Sequence, residues 1–507
     1  MALVLATSCS AALFGLAGRN SSYLVIDSGP YLSVASHLAR EGRAVSSFNF
    51  LGNFDRLPGP PNFAPPGMSL ALAGWQLVVG DPIVAAKLLL FSCLVVTQLC
   101  AIAVVARLTG SPAYALGASL VLMCTPRLAS FAGMVLSELP FVALLAVGIL
   151  AGVVALDDAR HPWVKWLGLP LAAAAVCATR YLGAFFPLAF AGACVAAAVR
   201  GPRGAVGVAG AAGYSAFLGL VALGPVAAWL TAARSAAPVT LPVRPPSQIV
   251  PAAAVAEALG ALAVWLGPWI VLAVITALVA GVRVAPSGPA SRPWSRQGAF
   301  LLSCIAGYLV LLIVARTGQA FHPLDRLGSR YLAPAWLSTF LLGAVAIHRF
   351  VWVRRGWVPK LAASALAGIV VTWGAVEMLA FRVPPPFPTG TETYGRAVDL
   401  VFENGTVLCN YGQLLVVDRT DLRVIGIPSR EDFEYEVDLE SIVRRHDVGW
   451  LVLFDVAGKE AMYPPAVVEW FARPPREVPV RRTFRFADGV IYQLGKGSDP
   501  SHGGEGA

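Results

Sequence analysis

Long apolar runs separated by short charged breaks fill the first three quarters of the chain. Eleven of them read as membrane spans, at about 2–18, 83–106, 112–125, 138–156, 166–179, 182–199, 204–230, 258–281, 298–315, 331–347 and 361–381. A helix needs about 20 residues to cross the hydrocarbon layer, so the runs at 112–125 and 166–179 are short for the task. The first run lacks the basic leading segment of a signal peptide and is read as a span. Between the first two runs lies a long polar stretch, residues 19–82. In it "GPYLSVASHLAREG" has helical spacing and predicts an amphipathic helix lying on the membrane surface. "RLPGPPNFAPPG" forces extended and turn geometry. "MSLALAGWQLVV" is apolar but only about 12 residues long, which predicts a second interfacial helix.

Beyond residue 381 the pattern changes to short alternating elements. "GTVLCNYGQLLVV" and "VGWLVLFDV" predict strands, "EYEVDLESIVRRH" and "PPAVVEWFAR" predict helices, and "FRFADGVIYQLG" predicts a hairpin turning at Asp488-Gly489. The expected fold is therefore a polytopic α-helical membrane protein of about eleven spans. It has interfacial helices in its first outer loop and a small C-terminal α/β domain. The expected divisions are 1–381 for the membrane module, with 19–82 as its first outer loop, 382–496 for the α/β domain and 497–507 for a disordered end.

Composition agrees with this division. Hydrophobic residues make up 57% of the 507 positions and charged residues 13%, about half the charged share of a soluble domain. That excludes an ordinary soluble enzyme and a disordered chain. The first 381 residues carry 24 basic and 10 acidic side chains, and the last 126 carry 14 and 19. The basic surplus is scattered between apolar runs and not gathered on one face, so it points to anionic lipid or phosphate and not to nucleic acid. Seven of the eight cysteines lie in apolar runs, where Cys acts as a small hydrophobe. Cys409 alone lies in the tail, and no cysteine or histidine spacing suits a metal.

Charge also sets the orientation. The connections around Arg107, 160–165, 200–203, 283–296 and 349–360 are basic and nearly free of acids, and the positive-inside rule places them in the cytoplasm. They alternate correctly if the N-terminus is cytoplasmic and the tail is extracytoplasmic. The expected setting is a cell membrane, and a bacterial inner membrane in particular.

A carboxylate beside a span is expensive and needs a reason. Asp27 follows the first span and Glu138 opens the fourth. Each has a plain reading as a helix-start residue and a second reading as half of a site at the outer face. Lys87, Arg180 and Arg330 also fall near span ends on that face. They read either as snorkelling anchors or as cations for a phosphate, which Arg grips bidentately and Lys meets as a point charge.

The order of these features resembles the glycosyltransferase-C superfamily, most nearly the aminoarabinose transferases of lipid A and the protein O-mannosyltransferases. The stretches that carry the resemblance are "VIDSGPYLSVASHLAREGR", "NFAPPGMSLALAG", "VGDPIVAAKLL", "SELPF", "ATRYLG" and "SRYLAPAW", in order over about residues 1–350. The family often has a second acid where Ser28 stands, and a Lys where Ala64 stands. The resemblance implies transfer of a sugar from a polyprenyl-phosphate donor to a hydroxyl of a glycan, lipid or protein acceptor on the extracytoplasmic face, with inversion. It implies Asp27 as the base and Glu138 as its catalytic companion, orienting acceptor or sugar. Lys87, Arg180, Tyr181, Arg330 and Tyr331 would hold lipid phosphate and sugar, and Tyr31 and Arg56 are the first-loop candidates. A leaving phosphate held by Arg and Lys requires no metal cofactor, although a divalent metal stays open. The competing class is a transporter, against which stands the absence of an inverted repeat.

The topology has a direct check. A membrane-impermeant thiol reagent applied to intact cells should label Ser429→Cys in the tail and leave Arg354→Cys untouched. The reverse pattern would place every candidate above on the wrong face.

Overall fold

The computed structural model describes residues 2–18, 21, 23–25, 28–50, 59, 65–125, 128, 131–157, 161–199, 204–236, 253, 255–256, 260, 292–317, 329–353, 357–380, 388–400, 405–419, 421–427, 439–456, 463–476 and 478–495. The predicted run at 258–281 lies almost wholly outside them, as does the 497–507 end.

The apolar runs become helices because a stretch with no internal polar partners can satisfy its backbone only within itself. These are α1 (Ala2–Gly18), α4 (Pro82–Thr109), α5 (Pro112–Met123), α6 (Glu138–Asp157), α7 (Leu169–Thr179), α8 (Phe185–Val199), α9 (Gly204–Ala236), α10 (Arg292–Thr317), α11 (Ser329–Ile347) and α12 (Trp357–Ala380). The two helices of the first loop are α2 (Ser28–Glu41) and α3 (Gly67–Val79). Among the described residues four helices are long and apolar enough to cross a membrane, lying within α4, α6, α9 and α10, and the other apolar helices are shorter. Asp81 caps α4 by accepting from the backbone N–H groups of Ile83 and Val84 at 2.8 and 2.7 Å, and Pro82 opens its first turn. The interior is aromatic. Phe185 meets Tyr308 edge-on at 5.0 Å between ring centres, and Phe190 meets Phe300 at 5.4 Å.

The tail folds as α13 (Glu392–Leu400), β2 (Thr406–Cys409), α14 (Gly412–Asp418), β3 (Arg423–Gly426), α15 (Leu439–Arg445), β4 (Val448–Phe454), α16 (Pro465–Ala472), β5 (Val480–Phe486) and β6 (Gly489–Leu494). Its sheet has six strands, and the sixth comes from the first outer loop. β1 (Phe48–Phe50) pairs in parallel with β3, in the order β1-β3-β2-β4-β6-β5. Phe48 sits opposite Val424 and is buried in the core on one face of the sheet. The first loop and the tail therefore share one side of the helical body.

Three expectations change. "GTVLCNYGQLLVV" is not one strand. It breaks after Cys409 because the Asn410 side chain takes the Phe454 backbone on both its donor and acceptor sides, at 2.8 and 2.9 Å, and the apolar residues that follow wind into α14. The hairpin turns at Ala487-Asp488, with Gly489 already in β6, because Thr393 Oγ1 donates to Asp488 Oδ1 at 2.7 Å and holds it in the loop. α2 is not an open surface helix. It is buried along Ser28–Pro30 and Leu32–His37, between α3 and α14. Gln76 of α3 donates to Ser36 at 3.2 Å, and His37 lies 2.6 Å from the Ser47 hydroxyl, just ahead of β1.

Gly29 is the closest approach between α2 and α14. A Cβ there would collide with the Gln413 carbonyl oxygen. Cys409 is fully buried and burial pushes its thiol up to about 12, so it stays protonated and silent in the labelling experiment above.

This seam should hold the tail in place. Gly29→Ala must move backbone against backbone, an overpacking that costs about 1–3 kcal/mol. Phe48→Ala should cost about 3–5 kcal/mol by truncating a buried aromatic. Both should lower the thermal midpoint and speed limited proteolysis of the tail. Wild-type proteolysis in both variants would show that the tail stands without the seam.

Candidate active site

Three distant segments are sewn together at the mouth of the helical body. The first runs from α1 into α2. The Ser21 hydroxyl donates to the Gly133 carbonyl, Val135 N–H donates to the Tyr23 carbonyl at 2.8 Å, and the Ser28 hydroxyl donates to the Val135 carbonyl at 2.9 Å. The second is 133–138, which ends where Glu138 begins α6. The Phe141 N–H closes the first turn on the Ser137 carbonyl. The third is the kink after α7. Arg180 takes an extended conformation there, between α7 and a 3-10 turn (Tyr181–Ala184), which takes Arg180 out of the helical register.

Arg180 Nη1 lies 2.8 Å from Glu138 Oε1 and donates to the Ser137 hydroxyl at 3.2 Å. Tyr31 of α2 donates to the same hydroxyl at 3.4 Å. The guanidinium also stands 5.8 Å from the centre of the Tyr331 ring. Behind it the fully buried Tyr308 donates to the Tyr331 carbonyl. The Glu138 side chain is 5% exposed and that of Arg180 19%, so this is a largely desolvated pair and not a surface salt bridge. Its members satisfy each other and leave little net charge.

Lys87, in the second turn of α4, is in a different situation. Its ammonium rests 4.8 Å from the centre of the Tyr23 ring, and no carboxylate among the described residues pairs with it. Tyr181 is partly exposed at the start of its turn and Tyr331 is buried. Arg330 lies in the first turn of α11, with its side chain outside the described residues. Asp27 and Arg56 lie outside them altogether. Nearby, the Val25 N–H donates to the Ser28 hydroxyl at 2.9 Å. Among the described residues no three His, Cys, Asp or Glu side chains gather to hold a metal ion.

The structure thus brings Glu138, Arg180, Tyr31 and Tyr331 into one cluster and sets Lys87 on a separate ring. The sequence reading missed Ser137, Tyr308 and Tyr23. Ser137 stands in the motif already singled out, next to Glu138. Tyr308 sits inside an apolar run with nothing to mark it, and Tyr23 depends on a backbone conformation that its neighbours impose.

No family model matches the chain, and no curated protein matches it in sequence. Solved structures do match in fold. ArnT from Cupriavidus metallidurans bound to undecaprenyl phosphate superposes with a TM-score of 0.59 at 12% identity, over 96% of this chain and 97% of that one. Its apo form gives 0.57 at 12% identity, over the same shares. The archaeal oligosaccharyltransferase AglB from Archaeoglobus fulgidus, in complex with an inhibitory peptide and a dolichol-phosphate, gives 0.56 at 12% identity, over 99% of this chain and 74% of that one. The chain shares its fold with these structures, in line with the resemblance to the glycosyltransferase-C superfamily. The match spans the helical body and the tail together, so the glycosyltransferase-C likeness is not confined to the membrane half.

A double-mutant cycle tests the pair. Glu138→Gln or Arg180→Gln alone strands a buried charge and should cost about 3–5 kcal/mol. The double variant should lose far less than the sum. Additive losses in the thermal midpoint would mean that the two side chains do not depend on each other.

Proposed function

We propose that the protein is a membrane glycosyltransferase that moves a sugar from a polyprenyl-phosphate donor to an acceptor hydroxyl on the extracytoplasmic face, with inversion. The observation that carries this reading is an ammonium without a carboxylate partner among the described residues, resting on the ring of Tyr23, whose carbonyl accepts from the segment that leads into Glu138, in a fold shared with ArnT bound to undecaprenyl phosphate and AglB in complex with a dolichol-phosphate. Fold alone would not assign an activity. The residues singled out above would have to supply the chemistry.

In the proposed reaction Asp27 accepts the proton of the acceptor hydroxyl. The freed oxygen pair attacks the anomeric carbon from the face opposite the leaving group. The bond from that carbon to the phosphate oxygen breaks, and its electrons leave with the polyprenyl phosphate. The new dianion charge needs a cation, and Lys87 is suited because no carboxylate among the described residues pairs with it. Arg180 is held by Glu138, so it would present N–H groups more than net charge. Tyr31, Tyr181, Tyr331 and Arg330 would meet sugar and lipid head group. Glycan, lipid and protein acceptors share the hydroxyl that this scheme uses.

The assay is turnover of a radiolabelled prenyl-phospho-sugar by the detergent-solubilised protein. Vectorial uptake into vesicles without turnover would favour a transporter. Asp27→Asn keeps size and capping ability, so expression and thermal midpoint should hold while turnover falls about 10²–10⁴-fold. A stable Asp27→Asn protein with near wild-type turnover would return Asp27 to helix capping.

A further inference from the structure

We infer that Tyr23 is a positioning residue that aims the Lys87 ammonium into the site, and that Gly18 is the seat of its hydroxyl. This rests on the proposal that Lys87 meets the lipid phosphate. A lysine on a flexible four-carbon stem is a poor point charge unless something restrains it. A carboxylate would restrain it and cancel the charge. An aromatic face restrains it and leaves the charge intact, and the Tyr23 ring lies 4.8 Å from the Lys87 nitrogen.

Tyr23 adopts a left-handed backbone, with φ of 62°. That conformation is unfavourable for a bulky side chain and persists only where the surroundings impose it. Here they do. Its N–H donates to the Ser21 hydroxyl at 3.0 Å, its carbonyl accepts from Val135 at 2.8 Å, and it bridges Met134 in the seam beside Glu138. The ring is buried and leans on Phe14, with centres 5.6 Å apart. The strain is thus spent on placing one ring beneath one cation. At the end of α1, a Cβ on Gly18 would collide with the Tyr23 hydroxyl oxygen and stand 3.3 Å from its ring carbon Cζ. Any side chain there would push the ring off its seat, and removing the hydroxyl would relieve most of the clash.

The test is equilibrium binding of undecaprenyl phosphate to the full-length protein in nanodiscs, with the thermal midpoint of each variant recorded. Tyr23→Leu and Gly18→Ala should each weaken binding about tenfold, between the effects of an exposed and a desolvated cation–π contact. Tyr23→Phe should stay within about threefold of wild type, because the ring face remains. The decisive variant is Gly18→Ala combined with Tyr23→Phe. It should regain the affinity lost by Gly18→Ala alone, which a merely structural role for either residue would not produce. In turnover kcat/KM for the donor should fall in the same order, with kcat falling too, because the departing phosphate gains charge against Lys87. If Lys87→Ala weakens binding but Tyr23→Leu and Gly18→Ala do not, the inference is overturned and the role of Lys87 stands. If Lys87→Ala binds like wild type, the reading on which the inference rests falls with it.

Discussion

A guanidinium taken out of water must be given a partner, and the organisation of this protein's mouth follows from how Arg180 gets one. Desolvating an ion costs several kcal/mol even after relaxation, so Arg180 can sit where it does only if Glu138 arrives at 2.8 Å with Ser137 beside it. That demand fixes the start of α6 against the kink after α7. Tyr31 joins from α2, and Tyr331 supplies a ring face from α11. Four segments that are remote in sequence thereby have one geometry in which the charge is satisfied, and packed helices with no such tie could slide past one another.

The same side of the body carries a second tie of a different kind. A three-residue strand is too short to stand alone, and β1 exists because β3 offers it an open edge and because Phe48 fills the core on one face of the sheet. α2 lies between that strand and the charged cluster, pressed against α14 at Gly29 and against α3 at Ser36. A displacement of the tail is therefore transmitted to the helix that carries Tyr31. The tail and the first loop are joined through one sheet, in which β1 lies beside β3.

The helical body was legible because a span has to be long and apolar, and such runs leave little room for another reading. Ten of the eleven runs coincide with described helices, among them both of the short ones. The tail and the first loop were less legible. "GTVLCNYGQLLVV" is apolar at both periods, and only the long-range bond from Asn410 to Phe454 decides where strand ends and helix begins. β1 and β3 are short strands stabilised by each other across a separation of most of the chain, which no local pattern records. In the site, Glu138 and Arg180 stood out as lone charges in an apolar background, but nothing in the sequence said that they would neutralise each other. Tyr23 was invisible, since its value lies in a left-handed φ imposed by Ser21 and Val135.

That neutralisation bears on how a site of this kind can divide its work. An anion is attracted by uncancelled charge, whereas a wall is stabilised by cancelled charge, and one side chain cannot supply both. Arg180 is committed to the wall by Glu138. Lys87 rests against a neutral ring, and no carboxylate among the described residues pairs with it. In a mouth bounded by apolar helices the effective dielectric is low, so an uncancelled ammonium has a long reach and a cancelled one has almost none. On the proposed reading the departing phosphate would therefore be drawn toward α4 and not toward the kink. The seam between Tyr23 and Val135 then has a second task beyond joining two loops, because it sets the distance between the committed charge and the available one.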